Sequence, residues 1–546
     1  MSIWNEYPRP QLVRDSFFCL NGKWQFGITE QTEELITVPF VPQSRLSGVQ
    51  RQFPQKLPIY YKREFTLPEG FIKSRVLLHF DAVDQIAEVS LNGVFLGKHE
   101  GGYDRFTFDI TDHLQQNNTL FVKVTDDLDN HILPYGKQRE KRGGMWYTAV
   151  SGVWQTVWIE SVPEKYIQKI KIIPDLTFAD IEIFPKLDAK LILDDTEYEF
   201  VNGVCRVTPD KVCNWTPEDP FLYDFKIVTE DDEIASYFAL RKIEIKEVSS
   251  SARICLNGKP YFFHGVLDQG YFLDGIFTPS SPQMYKNDIL CMKKLGINTL
   301  RKHIKIEPDL FYSYCDRLGM IVFQDMVNNG KYSFIRDTAL PTIGLKKRND
   351  KRMHKNAVTR QAFEGSMLST VDGLFNFPCI CLWTVFNEGW GQFNGTRMYK
   401  LLKQKDPTRV VDTVSGWFKG PLSDVESEHV YFKAYKHKKS SKPTLLSEFG
   451  GYTLKIEGHG FKTDKAYGYK PFKNIDDYND ALLKMYERDV IPFIKDGLCA
   501  DIYTQLSDVE DEINGLVTYD RQIVKADVKM MQYVADKIEK EIEEIK

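Results

Sequence analysis

The sequence has no apolar run approaching the roughly 20 residues that a membrane-spanning helix needs, so we expect no membrane association. Its nine cysteines are an odd number without a Cys-x-x-Cys pair, which argues against a zinc site or a disulfide framework. The net charge of -5 comes without a basic stripe or an acidic tail, so nucleic acid is not an expected partner. Residues 1–10 show no secretory pattern, and we expect a cytoplasmic location.

The chain is rich in aromatic residues and ordinary in other respects. It has 546 residues, of which 42% are hydrophobic and 27% charged, and it includes 36 Phe, 27 Tyr and 9 Trp. This length predicts roughly three to four globular domains. Surplus Trp and Tyr suit sugar binding, because an aromatic face packs on the apolar C–H face of a pyranose.

The first half of the chain predicts two β-domains. Val76, Leu78 and Phe80 alternate along one face, and Asn92-Gly93 supplies a hairpin turn that needs positive φ. Many short strands without a convincing helix predict a β jelly-roll sandwich over residues 1–163, of a sugar-binding type. The next short strands, separated by polar turns, predict an immunoglobulin-like β-sandwich over residues 164–248.

From residue 249 to 546 strands alternate with helices, which predicts a (β/α)8 TIM barrel. The eight expected strands are 261–266, 297–301, 320–323, 378–388, 409–412, 429–432, 443–448 and 500–503. The weakest of these patterns are the fifth and the sixth.

Two glutamates carry the strongest chemical signal. Glu388 and Glu448 each follow an apolar run that predicts a buried strand, and barrel enzymes place their chemistry at the carboxyl ends of such strands. Either residue alone could be a solvated loop acid or a structural ion-pair partner. Two carboxylates facing one cleft are the equipment for cleaving a glycosidic bond.

Each glutamate receives a role from its sequence neighbours. Glu388 is the predicted acid/base, because the preceding Asn387 can reach the 2-hydroxyl of a sugar, where hydrogen bonds strengthen in the transition state. Glu448 is the predicted nucleophile, held ionised by donors such as Arg301 and Tyr431. Retention of configuration would then require the two carboxyl groups to lie about 5–5.5 Å apart.

Five further side chains are candidates for substrate binding, each with a structural alternative. His303 either lines the pocket or caps a strand end. Trp417 and Trp390 either stack on sugar or anchor loops at the barrel rim. Asp268 either binds a sugar hydroxyl or caps the next helix. Tyr503 is expected under the glycone at the end of the last strand.

Several short strings place the chain beside a known family. They are residues 20–26 (LNGKWQF), 60–65 (YYKREF), 101–106 (GGYDRF), 151–158 (SGVWQTVW) and 238–243 (FALRKI). In this order, with Asn387-Glu388 and Ser447-Glu448 as acid/base and nucleophile, the chain resembles glycoside hydrolase family 2, the group of β-galactosidases, β-glucuronidases and β-mannosidases. The resemblance covers nearly the whole length and implies the same three domains.

Some positions depart from the family pattern. The usual Arg-x-x-His is here Arg301-Lys302-His303, so only the arginine carries over directly. The Glu-x-His metal pair of magnesium-dependent members has no counterpart at residues 324–329, and we expect no required metal or other cofactor. The Asn-x-Lys pair with which glucuronidases grip a carboxylate is missing near residues 514–516, which counts against a glucuronide.

The resemblance implies a retaining exo-β-glycosidase that acts on an oligosaccharide or glycoside, first of all on β-galactosides. The same chemistry on a β-glucuronide, β-mannoside, arabinoside or galactofuranoside is the alternative. A carbohydrate-binding protein without turnover is a third hypothesis, against which the intact Asn387, Glu388 and Glu448 argue. Exposed sandwich domains also permit a homo-oligomer, although no feature of the sequence selects one.

Overall fold

The computed structural model describes residues 4–342, 345, 349–418, 422–461 and 466–545. Two β-rich units precede a barrel, which confirms the predicted fold class. The proposed boundaries after residues 163 and 248 stay predictions, and their outer ends at residues 1–3 and 546 lie outside the described residues. None of the helices within the described ranges has both the length and the apolar character needed to span a membrane.

The first unit is an antiparallel sandwich of a four-stranded sheet, β1-β14-β5-β9, and a six-stranded sheet, β3-β2-β4-β10-β7-β8. Alternate residues along the strands fill the core between the sheets, as Leu120, Val122 and Val124 do on β10. The strands are β1 Phe18–Cys19, β2 Gly22–Gly27, β3 Glu34–Val38, β4 Ile59–Phe65, β5 Arg75–Phe80, β6 Val83–Asp84, β7 Ile86–Leu91, β8 Val94–Glu100, β9 Phe106–Asp109, β10 Asn118–Thr125, β11 Gln138–Arg139, β12 Tyr147–Thr148, β13 Gly152–Val153 and β14 Val157–Val162.

The second unit packs a three-stranded sheet, β15-β16-β19, against a four-stranded sheet, β18-β17-β20-β21. Its strands are β15 Lys169–Pro174, β16 Ala179–Phe184, β17 Lys190–Leu193, β18 Thr196–Glu199, β19 Val204–Val207, β20 Tyr223–Val228 and β21 Glu233–Phe238. A further antiparallel sheet leads toward the barrel and consists of β22 Ile243–Val248, β23 Ser251–Leu256 and β24 Lys259–Pro260.

The barrel is a parallel sheet of eight strands in the order β29-β28-β27-β26-β25-β34-β31-β30. Seven of its strands are buried along their whole length, as expected where helices cover the outside, and only the strand that contains Glu426 and Glu428 is partly exposed. The strands of this part are β25 Phe263–Asp268, β26 Thr299–Lys302, β27 Ile321–Asp325, β28 Ile380–Asn387, β29 Val410–Ser415, β30 Glu426–Val430, β31 Thr444–Gly450, the short pair β32 Tyr452–Leu454 and β33 Lys470–Phe472, and β34 Leu498–Thr504. The helices are α1 Gln283–Lys294, α2 Asp309–Leu318, α3 Leu340–Thr342, α4 Ala357–Leu374, α5 Gly395–Lys405, α6 Ile475–Asp489 and α7 Val528–Glu543.

Within the described residues β29 and β30 share no backbone ladder, and isolated hydrogen bonds join β29 to β30 and to the segment just before it. The amide of Thr413 donates to Ser423 Oγ over 3.2 Å, and the amide of Gly416 donates to Ser427 Oγ over 3.4 Å. These were the two least regular strand patterns in the sequence. The sixth strand ends at Val430, so Tyr431 lies just beyond it, over the carboxyl end of the barrel.

Candidate active site

Glu388 is the first residue after β28, and its backbone is held in a strained form. Its φ of 50° lies in the left-handed region, which non-glycine residues adopt at a cost of roughly 1–3 kcal/mol. The amide of Glu388 donates to the carbonyl of Ser415 on the neighbouring strand over 2.9 Å. This turn aims the carboxylate across the barrel mouth, where only 6% of the residue is exposed.

Glu448 lies within β31 and is 4% exposed. Both of its carboxylate oxygens accept hydrogen bonds. Arg301 Nη1 donates to Oε1 over 3.0 Å, and the Tyr431 hydroxyl donates to Oε2. A buried carboxylate with two such donors is fixed in position and stabilised in its charged form.

His429 stands between the two glutamates. Its Nδ1 is hydrogen-bonded to Glu388 Oε1 at 2.9 Å, and its Nε2 lies 3.0 Å from Ser415 Oγ and 3.5 Å from Glu448 Oε1. One nitrogen of His429 and one carboxylate oxygen from each glutamate all lie within 4.8 Å of one another. The two carboxylates therefore share one small, buried space.

Arg301 forms hydrogen bonds with four residues that surround this space. Its guanidinium makes a two-point ion pair with Asp325, with contacts of 3.0 and 2.9 Å. It also donates to Asn387 Oδ1 over 2.9 Å, to the carbonyl of Ser447 over 2.9 Å and to Glu448 Oε1. Arg301 points inward because side chains alternate along β26, and it fixes the orientation of the Asn387 amide beside Glu388.

Burial and neighbouring charges shift the pKa values of three groups around Glu448. Burial alone would raise the pKa of Glu448, but His429, Arg301 and the Tyr431 hydroxyl together lower it below its usual value. Burial, reinforced by the charge of Glu448, raises the pKa of Tyr431 well above normal, so this hydroxyl stays protonated as a donor. Burial also lowers the pKa of His303 far below normal, with Lys137 and Arg301 adding to the effect, and His303 is therefore neutral.

The structure brings most of the predicted residues to this space. His303 Nε2 lies 3.7 Å from Glu448 Oε1, and Gln269 holds its other ring nitrogen at 2.9 Å. The Trp417 ring lies on the rim, 6.5 Å from the His429 ring. Trp390 is almost fully buried and stacks at 5.0 Å on Trp146 of the first domain.

Two predicted binding residues are not brought to the carboxylates. Asp268 accepts from the Lys302 ammonium over 2.7 Å and from the Gly270 amide over 2.9 Å, so its role in the structure is that of an ion-pair partner. Tyr503 is fully buried, and its hydroxyl bonds to the Tyr452 amide over 3.1 Å. Its neighbour Thr504 approaches Tyr431 at 3.4 Å. Thr504 rather than Tyr503 faces Tyr431 because successive strand residues face opposite sides, and the role of Tyr503 under the glycone stays a prediction.

Sequence reasoning missed His429, Asp325, Lys137 and Trp146. A signal existed for His429, because it precedes Tyr431 by two residues and therefore shares its face of the strand. No local pattern marks Lys137 or Trp146, since a loop of the first domain carries them to the barrel mouth.

Glu388, His429 and Glu448 also have the spacing of a metal-binding group. In the structure their facing atoms are already engaged by one another, by Arg301 and by Tyr431. This arrangement suits proton transfer among the side chains themselves. The expectation that no metal is required stays a prediction.

Two family models match the chain. Residues 246–540 match the TIM barrel domain of the glycosyl hydrolases family 2, and residues 31–154 match the galactose-binding domain-like part of glycosyl hydrolase 2. The first match alone spans more than half of the 546 residues.

Curated relatives are distant and longer. A β-galactosidase of Thermoanaerobacter pseudethanolicus is 24% identical over 336 residues, covering 56% of this chain and 44% of that protein. A β-glucuronidase of Bacteroides fragilis is 24% identical over 471 residues, covering 79% of this chain and 65% of that protein. The chain thus spans about half to two thirds of the length of these relatives.

Solved structures share the fold over the whole chain. A β-D-glucuronidase of Dictyoglomus thermophilum superposes with a TM-score of 0.75 at 18% identity, covering 98% of both chains. A β-glucuronidase of an uncultured Clostridium also reaches a TM-score of 0.75 at 18% identity, covering 97% of this chain and 99% of the other. With the barrel, the preceding sandwiches and the matching family models, the chain belongs to glycoside hydrolase family 2.

Proposed function

We propose that the protein is a retaining exo-β-glycosidase that hydrolyses terminal β-glycosides by double displacement. The observation that carries this proposal is the approach of Glu388 and Glu448, whose nearest oxygens lie within 4.8 Å. Retaining enzymes hold their carboxyl groups about 5–5.5 Å apart, whereas inverting enzymes need about 6.5–9.5 Å to admit a water molecule.

Glu448 is the proposed nucleophile. Its lowered pKa keeps the carboxylate ionised. Arg301 and Tyr431 orient it by hydrogen bonds, so that one oxygen can attack the anomeric carbon. Its C–O bond to the sugar forms as the glycosidic C–O bond breaks. The sugar remains attached to Glu448 as a glycosyl ester until water releases it.

Glu388 is the proposed acid/base. It gives its proton to the leaving oxygen in the first step and takes a proton from the attacking water in the second. A hydrogen bond of 2.9 Å between His429 Nδ1 and one oxygen of Glu388 holds the carboxyl group in place. Asn387, oriented by Arg301, is positioned to bond the 2-hydroxyl, whose interaction strengthens as the oxocarbenium ion develops.

Two glycone classes are supported. Curated relatives include β-galactosidases, which agrees with the expectation from the sequence. Relatives and fold neighbours also include β-glucuronidases. The deep burial of both glutamates supports exo action on a terminal residue in either case.

The test is turnover of a panel of 4-nitrophenyl β-glycosides by the wild type and by two active-site variants. Glu448→Gln should lose all turnover, because no carboxylate remains to attack. Glu388→Ala should still release 2,4-dinitrophenol from an activated glycoside in the first step, because that leaving group needs no proton. Glu487→Gln, on the exposed face of α6, is the matched control. Full activity of Glu448→Gln would refute the assignment.

A further inference from the structure

A loop of the first domain forms one wall of the active site. The amides of Tyr135 and Gly136 donate to the carbonyl of Asn328 over 3.1 and 3.4 Å, and the Tyr135 hydroxyl donates to the carbonyl of Gly330 over 2.8 Å. Both acceptors follow β27 at the carboxyl end of the barrel. The loop is therefore fastened to the barrel rim next to the two glutamates.

Lys137 follows this anchor and carries a buried charge. The residue is 7% exposed. Its ammonium lies 5.2 Å from the ring centroid of Trp390 and 5.7 Å from that of Tyr147. Among the described residues no carboxylate comes within 4.0 Å of the ammonium, and no hydrogen bond to it is found. The ammonium therefore has no hydrogen-bond or ion-pair partner of its own among these residues and is available to bind an anionic group.

The carboxylates around Lys137 have other partners. The two oxygens of Glu512 accept from the Tyr147 hydroxyl over 2.5 Å and from Asn514 Nδ2 over 3.0 Å. Glu448 is held by Arg301 and Tyr431, as described above. The indole N–H of Trp390 is a second buried donor in this wall without an acceptor.

The charge of Lys137 acts on the catalytic space itself. After burial, it is the largest influence that lowers the pKa of His303. It also contributes, after His429, Arg301 and Tyr431, to the low pKa of Glu448. The geometry agrees, because the ammonium lies 5.2 Å from the ring of Trp390, which follows Glu388 by two residues, so Lys137 stands in the wall beside the proposed acid/base.

We propose that Lys137 binds a carboxylate on the glycone and that the enzyme's preferred substrates are β-hexuronides. This inference rests on the proposed function and deepens it. An unpartnered ammonium beside an unpartnered indole N–H offers two donors and no acceptor, which suits an anionic group better than a neutral hydroxymethyl. In the sequence, the missing Asn-x-Lys pair near residues 514–516 counted against a glucuronide substrate. Lys137 supplies a cation for the same purpose from a different domain.

The experiment compares matched substrates that differ only at C6. For 4-nitrophenyl β-galacturonide against β-galactoside, and β-glucuronide against β-glucoside, the wild type should favour the acid of at least one pair by about 100-fold in kcat/KM. In Lys137→Met that preference should fall by about 100-fold, and Lys137→Arg should keep part of it. Lys141→Met changes an exposed lysine just after β11, four residues from Lys137, and should leave the preference as it is.

The preference ratio separates recognition from catalysis, because a variant that merely folds or turns over poorly loses rate on both members of a pair. A wild type that prefers the neutral sugar in both pairs, or a Lys137→Met variant with an unchanged ratio, would overturn the proposal. If the wild type cleaves no substrate at all, the proposed function fails by itself. Calorimetry then decides the inference: galacturonate or glucuronate should bind more tightly than galactose or glucose, and Lys137→Met should abolish the difference.

Discussion

Replacing Arg301 with lysine should disable the site while keeping its charge. The guanidinium makes five hydrogen bonds to oxygen atoms, two of them to Asp325 and one each to Asn387, Ser447 and Glu448. A lysine ammonium has three donors and cannot reproduce the planar fork. Since Arg301 is buried, the bonds that are lost cannot be replaced by bulk water.

The effect should appear in the pH dependence of kcat/KM. Arg301, after His429, is the largest favourable influence on the charged form of Glu448. A weaker contact should raise the pKa of Glu448 above its value in the wild type. The nucleophile must be ionised, so the acid limb of the profile should move to higher pH by the same amount. We also expect kcat/KM at its optimum to fall about 100- to 1000-fold.

Arg206→Lys provides the matched control. Arg206 makes the same two-point contact with Asp180, at 2.7 Å for both bonds, but on the exposed surface of the second sandwich. The profile of this variant should equal that of the wild type. An acid limb that stays in place in Arg301→Lys, with rate lost at all pH values alike, would refute the electrostatic role of Arg301.

Two further changes probe the surroundings of the site. Tyr431→Phe should lower kcat/KM about 10- to 100-fold and raise the pKa of Glu448, because the carboxylate loses one hydrogen-bond donor. The melting temperature should stay the same, because the ring still stacks on Tyr469. An unchanged pH profile of kcat/KM would contradict this expectation. Trp146→Ala should lower the free energy of unfolding by about 3–5 kcal/mol, because its stacking on Trp390 is lost, and it should raise KM. Thermal unfolding and steady-state kinetics measure the two effects. An unaltered KM would count against the first domain forming a wall of the active site.

Local periodicity was enough to predict the barrel and both catalytic candidates. Apolar runs before Glu388 and Glu448 predicted buried strands, and both residues lie at the carboxyl side of the barrel. Arg301 and Tyr431 were also predicted beside Glu448, since Arg301 lies on a strand, and Tyr431 just after a strand, that ends at the same edge. These inferences need only strand direction and alternation.

Other features depend on information that a local pattern does not contain. Tyr503 and Thr504 are neighbours, and a one-residue difference decides which of them faces the pocket. Asp268 was predicted as a sugar ligand, and its ion pair with Lys302 was not foreseen, because that pair forms only when two strands pack side by side. Lys137 belongs to the first domain, so its place beside the barrel follows from domain docking alone.

The most direct test of the proposed mechanism is the configuration of the first sugar released. Proton NMR of a β-glycoside during hydrolysis distinguishes the newly formed anomers before they interconvert. Double displacement by Glu448, with Glu388 as acid/base, predicts that the β-anomer appears first. An α-anomer as the initial product would contradict the mechanism, because it would mean that water attacks the anomeric carbon directly.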